Sequence, residues 1–354
     1  MNAKDILSLL GDVRHPAHED KSIVDLGMVK KVDVSEGKVI VTLVFPRKRD
    51  PLAEYIIGST RATVIRALGQ GIEVEVKTEV AEEAPASKKT LDLDDSRIKK
   101  VRHIIGIASG KGGVGKSTVA VNLAVALSRL GLVTGLADAD VYGPSVPIMT
   151  GTEGAKPLSY TDEDGRDWIQ PIEKFGVNWM SIGYFAERGQ ALIWRGPMAS
   201  NALKQLILQV DWGDLDVLLI DMPPGTGDIH ISLVKDIPME AAIIVTTPQN
   251  VALSDVEKGV AMFRNDGVRK PILGLIENMS WFTPAELPDH RYYIFGRDGG
   301  ARMAEELGLD LLGQIPLVQG IRESGDNGEP VALGSGPDAL AYLDIARNMA
   351  ARLG

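Results

Sequence analysis

Residues 109–120 read SGKGGVGKSTVA, and the fold follows from what that stretch requires. Gly110-x-x-x-x-Gly115-Lys116-Ser117 satisfies the P-loop pattern, in which curled backbone N–H groups and one lysine hold the phosphates of a nucleotide. Context strengthens the match. An apolar, β-branched run, HIIGIAS (103–109), precedes it, and a helical stretch, Lys116–Leu130 closed by Gly131, follows it. Gly112, Gly113 and Gly115 let the loop turn its N–H groups toward one anion at a helix start. The nucleotide-binding set is therefore Gly110, Lys111, Gly112, Gly113, Val114, Gly115, Lys116, Ser117 and Thr118. Within it Lys116 neutralises the β- and γ-phosphates and the Ser117 hydroxyl ligates Mg²⁺. The pattern needs one lysine, and the loop carries a second, Lys111, at its start.

Further runs of the same grammar extend on the C-terminal side: LVTGLAD (132–138), DVLLID (216–221), AAIIVT (241–246) and PILGLIEN (271–278), with helical stretches such as Ala252–Arg264 between them. Strands apolar on both faces and spaced by helices predict an α/β, doubly wound, mainly parallel sheet over residues 98–354. Ligands of such sheets bind at the carboxyl ends of the strands, where every motif here lies. Residues 1–80 predict a separate small α+β domain. Lys4–Leu10 opens it as a helix, and KVDVSEGKVIVTLVF (31–45) alternates around Glu36-Gly37 as a hairpin. Pro51–Leu68 has helical spacing, with Leu52, Ile56, Thr60 and Ile65 near one face, and IEVEVKTEV (72–80) alternates as a strand. Between the domains, residues 81–97 are rich in charge, Ala, Pro and Ser, the composition of a linker.

Composition removes several function classes. A formal net charge of −10 over 354 residues disfavours nucleic acid as a partner. No apolar run is long enough to span a membrane, and Met1–Ile6 carries an acid where a signal peptide is apolar, so a cytoplasmic location is expected. The chain contains no cysteine, which excludes disulfides, thiolate metal sites and thiol nucleophiles.

Acidic residues follow two of the strands. Asp138 and Asp140 end a buried strand before Gly143-Pro144, where a carboxylate organises Mg²⁺ or orients attacking water, although acids also cap and turn chains. Asp221 ends DVLLID in the Walker-B position of a Mg²⁺-holding carboxylate, and MPPGTGD (222–228) supplies a loop able to respond to the γ-phosphate. Asp228 reads as the cap of the next helix. Asn278 presents either an amide to an adenine edge or a turn.

SGKGGVGKST, DADVYGPSVP, IWRGPM, WGDLDVLLIDMPPGTGD, TTPQ and ENMSWF followed by YYIFGRDGG occur in that order. Together they resemble the Mrp/ApbC family of P-loop ATPases, the iron–sulfur cluster carriers, within the larger SIMIBI group that includes MinD and ParA. KSIVDLGMVKKVDV (21–34) looks like the small front domain of bacterial members. The resemblance implies a homodimeric, Mg²⁺-dependent ATPase that delivers iron–sulfur clusters to apoproteins, alone or with scaffold proteins. It implies that Lys111 reaches across the dimer to the partner's phosphates, acting as a finger supplied in trans. With Lys116 as the phosphate lysine and Asp140 positioning water, these three are the catalytic candidates. Ser117, Asp138 and Asp221 are the Mg²⁺ candidates.

One departure is plain. Many proteins of the family it resembles carry a Cys-x-x-Cys after ENMS, whose thiolates, pooled from two subunits, hold a bridging 4Fe–4S cluster, and here the segment reads WFTPAELPDHRYYIFG (281–296). His290 and Asp289, or His15 and His18 of HPAH, are poor substitutes for thiolates, so no Fe–S ligand is assigned. The alternative is a nucleotide-driven positioning ATPase of the MinD/ParA kind. That would need a lipid or DNA handle. The terminal stretch 336–354 mixes Asp338 and Asp344 with Arg347 and Arg352, and reads as a packed helix rather than an interfacial anchor.

Overall fold

The computed structural model describes residues 3–16, 18–35, 37–45, 52–69, 71–80, 96–185, 196–284, 286–287 and 289–354. Contacts between Cα atoms divide the chain into two compact units, residues 1–89 and 90–354.

In the smaller unit, helix α1 (Ala3–Leu10) is followed by short antiparallel strands β1 (Arg14–His15) and β2 (His18–Ser22). Strands β3 (Val29–Ser35) and β4 (Lys38–Phe45) then pair antiparallel, with Ser35 opposite Lys38 across the expected turn. Helix α2 (Ala53–Leu68) crosses over to β5 (Glu73–Val80), which joins β4 in parallel. The core gathers Ile6 and Leu10 of α1, Val39, Val41 and Leu43 of β4, and Ile56 and Val64 of α2. The buried stripe of α2 is Ile56, Thr60 and Val64, a clean i, i+4, i+8 row. Ile65, expected on that face, is half-buried beside it.

The linker expected at 81–97 lies, through residue 95, outside the described residues. Its last two positions are packed into the larger unit. The Ser96 hydroxyl donates to the Leu208 carbonyl (2.7 Å), and the Arg97 guanidinium lies 4.5 Å over the Trp168 ring and pairs with Asp211.

The larger unit runs β6 (His103–Ala108), α3 (Lys116–Arg129), β7 (Thr134–Asp138), the single turn α4 (Val146–Met149), then short strands β8 (Ser159–Thr161), β9 (Asp167–Ile169) and β10 (Ile172–Lys174). It continues β11 (Val177–Ser181), α5 (Gly196–Leu208), β12 (Val217–Asp221), α6 (Asp228–Asp236), β13 (Ala241–Thr246), α7 (Asn250–Arg264) and β14 (Ile272–Glu277). The last elements are α8 (Gly299–Leu307), β15 (Leu311–Gln314), α9 (Gln319–Asp326) and α10 (Pro337–Leu353). Eight strands form one sheet in the order β10-β11-β7-β12-β6-β13-β14-β15, parallel except for β10, which pairs antiparallel with β11 at the edge.

Helices cover both faces, as the strands' two-sided apolarity demands. In β6, Ile105 and Ile107 face α3 and α10, while Ile104 and Ala108 face the core shared with α5, α6 and α7. Helix α3, between sheet and α10, is buried almost all round, from Val119 to Leu127. Truncating a fully buried residue there, such as Leu123 to Ala, would cost about 2–5 kcal/mol. The chain leaves β6 toward β7 on one side and returns to β13 on the other. The resulting crevice opens at the carboxyl end of β6, where the loop 109–115 sits.

Candidate nucleotide site

Gly115 occupies the position before α3 in the left-handed region (φ 81°), so the helix N-terminus and its free N–H groups face the loop. A Cβ at Gly115 would lie 2.3 Å from the Asn278 amide nitrogen, and one at Gly110 would lie 2.2 Å from the Asp255 carbonyl oxygen. The loop is thus pressed against α7 at its start and against the end of β14 at its finish. Asn278 is buried, and its Nδ2 donates to the Val114 carbonyl (2.9 Å), pinning the loop from below. The same residue, with Gly115, Thr118, Met149, Met279 and Pro316, lines a cavity of about 420 Å³ beside the loop. Gly112 and Gly113 are exposed at the loop's crest.

At the carboxyl ends of the strands the polar side chains converge. Asp138 of β7 and Asp221 of β12 stand opposite one another in register, and both are fully buried. The Lys116 ammonium, itself buried, pairs with Asp221 Oδ1 and lies 3.3 Å from the Ser117 hydroxyl. The two carboxylates differ in their partners. Asp138 accepts from the Asp140 N–H (3.1 Å) through Oδ1, and from the Val146 N–H (3.3 Å) and Ser181 hydroxyl (2.9 Å) through Oδ2. Oδ2 thus ties β7 to the start of α4 and to β11. Asp221 Oδ2, by contrast, is buried with no hydrogen-bond partner.

Burial raises the pKa of both carboxyls. The charge of Asp221 adds to the rise at Asp138, whereas the Lys116 ammonium opposes it at Asp221. Two adjacent buried carboxyls share one ammonium, so ionising both would leave negative charge uncompensated. A cation reached through the orphaned Asp221 Oδ2 and the Ser117 hydroxyl would balance it, and such oxygen donors suit Mg²⁺. Asp138, opposite Asp221 in register, adds charge to that arrangement, and its Oδ1 accepts a single hydrogen bond.

Asp140 is half-buried and closes a turn, its Oδ1 accepting from the Tyr142 (3.2 Å) and Gly143 (3.3 Å) N–H groups. Its charge reaches both Asp221 and the buried His230. Lys111 is half-exposed, its backbone carbonyl accepts from the Ser109 hydroxyl (2.9 Å), and among the described residues its ammonium has no partner. Gly227, not Asp228, sits at the position before α6.

Several residues that shape the site escaped sequence reading. Ser181 ends β11, a strand hidden in a stretch without strong apolar periodicity. The close approach of Asp255 to Gly110 is a backbone contact with no sequence signature. His230 sits one turn into α6, and its Nε2 lies 2.6 Å from the Pro223 carbonyl.

The segment after β14 is different in kind. Phe282 and Tyr292 exchange backbone hydrogen bonds (2.8 Å each), and Arg291 stacks 4.2 Å over the Trp281 ring. His290 and Asp289 are exposed. The backbones of His15 and His18 are paired in register across β1 and β2. Among the described residues no group of three or more His, Asp or Glu side chains is gathered as a metal site. Nor, among them, is any helix long and apolar enough to cross a membrane.

Known proteins share this architecture. The profile of the NUBPL iron-transfer P-loop NTPases matches residues 100–350, and that of an iron–sulfur cluster assembly domain matches residues 3–77. The iron–sulfur cluster carrier protein of Synechocystis sp. is 42% identical over 351 residues, covering 98% of this chain and 97% of that protein. A nucleotide-binding protein from Archaeoglobus fulgidus, solved in complex with ADP, superposes with TM-score 0.59 at 31% identity, over 70% of this chain and 94% of its own. The cell division ATPase MinD of Pyrococcus furiosus shares the fold, with TM-score 0.50 at 24% identity over 70% of this chain and 98% of its own.

Proposed function

The chain belongs to the family of NUBPL iron-transfer P-loop NTPases, and from that premise we propose that it is a homodimeric ATPase acting in delivery of iron–sulfur clusters to apoproteins. The observation that carries the ATPase reading is the constellation at the carboxyl ends of β6, β7 and β12. A buried ammonium, a hydroxyl and an orphaned carboxylate oxygen stand together at the N-terminus of α3.

Each residue then has a task. The N–H groups of Gly110–Thr118 and the α3 terminus cradle the phosphates. Lys116 turns from Asp221 toward the β- and γ-phosphates as they arrive, exchanging one anionic partner for another. Ser117 and Asp221 Oδ2 would hold Mg²⁺, with Asp138 adding charge behind them. Bound Mg²⁺ neutralises phosphate charge as the terminal phosphoryl group departs. Asp140, at the mouth of the site, orients the attacking water. Asn278, engaged through Nδ2 with Val114, offers the rest of its amide to the adenine side of the cavity. Lys111, whose ammonium has no partner among the described residues, serves the phosphates of a second copy.

With no cysteine in the chain, cluster thiolates must come from elsewhere. The protein acts as the nucleotide-driven motor, in the cytoplasm, and a cysteine-bearing scaffold or client holds the cargo. A lipid-anchored positioning role is disfavoured by α10, whose Ala339, Tyr342, Ile345 and Met349 are spent on the core against α3 and β15.

The test is cluster transfer from a loaded thiolate scaffold to an apoprotein, with the purified chain and Mg²⁺-ATP. ATP hydrolysis together with transfer accelerated by this chain, and lost in Asp221→Asn, is expected. Hydrolysis with no effect on transfer would retain the ATPase and overturn the delivery role.

A further inference from the structure

The loop that follows Asp221 begins Met222-Pro223-Pro224-Gly225, and its two prolines have no N–H to anchor it. Its anchors are therefore carbonyl oxygens and the few remaining amides. Gly225 N–H donates to the Ser109 carbonyl (3.1 Å), fastening the loop to the strand that leads into the P-loop. Its left-handed φ of 98° makes that turn available to glycine. On the other side stands His230.

Two bonds from this one residue close the loop. The His230 ring nitrogen Nε2 lies 2.6 Å from the Pro223 carbonyl oxygen, and its backbone N–H donates to the Gly227 carbonyl (3.0 Å). A carbonyl only accepts, so Nε2 carries the proton. Both His230 and Pro223 are buried, so water cannot replace the ring as a donor. His230 shares its helix face with Leu233 and Val234, also buried, and α6 packs on α5. The imidazole is thus the loop's side-chain anchor to α6, beside the backbone bonds of the Gly225 N–H to Ser109 and the Met222 N–H to Ile107 (3.0 Å). The ring is also within electrostatic reach of Lys116 and Asp140, the groups assigned above to the phosphate and to the water.

We propose that His230 is a positioning residue for ATP hydrolysis, holding the Pro223–Gly227 loop against the phosphate end of the site through the Pro223 carbonyl. The inference rests on the ATPase reading and adds a residue to it. His230 touches no reacting atom. It sets where the loop stands when the terminal phosphoryl group departs, and it carries the loop's displacement into α6 and α5. An interaction of that kind is used in the transition state more than in nucleotide binding, so its loss falls on kcat.

Two polar substitutions separate this role from a general packing role. In His230→Gln the side-chain amide nitrogen comes near the position of Nε2 and can still donate to Pro223. In His230→Asn the amide falls short, near the position of Nδ1, and the Pro223 carbonyl is left without its donor. Steady-state ATP hydrolysis gives kcat and KM, calorimetric titration gives ADP affinity, and a thermal melt checks folding. His230→Asn should lower kcat by about tenfold or more while ADP affinity stays within about threefold, and His230→Gln should retain kcat within about threefold of wild type. Equal kcat in the two variants, whether high or low, would overturn the inference. So would an Asn variant that loses ADP affinity as steeply as turnover, the mark of a merely structural residue. A wild-type protein with no ATP turnover would overturn the ATPase reading and this inference with it. The two failures are told apart by whether the wild type itself is silent.

Discussion

The phosphate end of the larger unit and the segment after β14 lie on the same domain and obey different rules. At the phosphate end, charged and polar side chains are buried and held by named partners: Lys116 by Asp221, Asp138 by Ser181, Asn278 by Val114, His230 by Pro223. Burial makes every such group expensive to alter, because removing one member strands the other away from water. The segment 281–298 instead keeps its charges in solvent and is held by a backbone pair and by Arg291 and Arg297 stacked on Trp281 and Tyr293. Substitution there disturbs little.

The sharpest way to break the comparison is at Lys116. Lys116→Ala should weaken ATP and ADP binding by on the order of a hundredfold or more, from loss of about 2–3 kcal/mol of charge-assisted bonding, read by calorimetric titration. Near-normal affinity would remove the phosphate end from the nucleotide site.

Gly110→Ala tests the packing beneath the loop. Its Cβ would meet the Asp255 carbonyl oxygen at 2.2 Å, so two backbone segments must separate. A loss of about 2–3 kcal/mol in urea denaturation is expected, with weakened nucleotide binding. A neutral result would show that α7 yields freely there.

Lys111→Ala probes the one cation of the loop without a partner among the described residues. ADP affinity should stay within about threefold while ATP turnover falls by about tenfold or more and ATP-dependent dimerisation is lost, as for a finger supplied in trans. Wild-type turnover in this variant would end the trans assignment.

The smallest effects belong to the exposed segment. His290→Ala should change stability by less than about 0.5 kcal/mol and leave ATP turnover within about twofold. Anaerobic incubation with iron and sulfide followed by desalting should leave no stoichiometric cluster on wild type or variant, read by visible absorption and iron analysis. A cluster that appears on wild type and is lost in His290→Ala would reverse the comparison and make this segment a metal site.

Most of the larger fold was legible because its strands are apolar on both faces and end in turn residues, a pattern that parallel sheets impose. The stretch between α4 and α5 was not. Its strands β8 to β11 are short, and DWIQPIEKFGVNWMS (167–181) carries no clear period, so the sheet edge and the Ser181 partner of Asp138 stayed hidden. On α2 the spacing found the buried face but misplaced its last member, since Val64 and Ile65 are equally apolar and only packing against α1 and β5 separates them.

By itself the sequence determined the chemistry on offer: a P-loop with two lysines, carboxylates at strand ends, and no thiol anywhere. Those are matters of residue type and local spacing, which a linear chain states outright. Only the tertiary structure decided which donors reach each carboxylate. Asp138 and Asp221 look alike as strand-ending acids, and 83 residues separate them in the chain, 138 to 221. Once β7 and β12 pair, Asp138 Oδ2 meets Ser181 and the start of α4, while Asp221 Oδ1 meets Lys116 and its Oδ2 has no hydrogen-bond partner among the described residues. A carboxylate's role depends on which donors reach it in a space without water, and those donors are brought in by strands and helices distant in sequence.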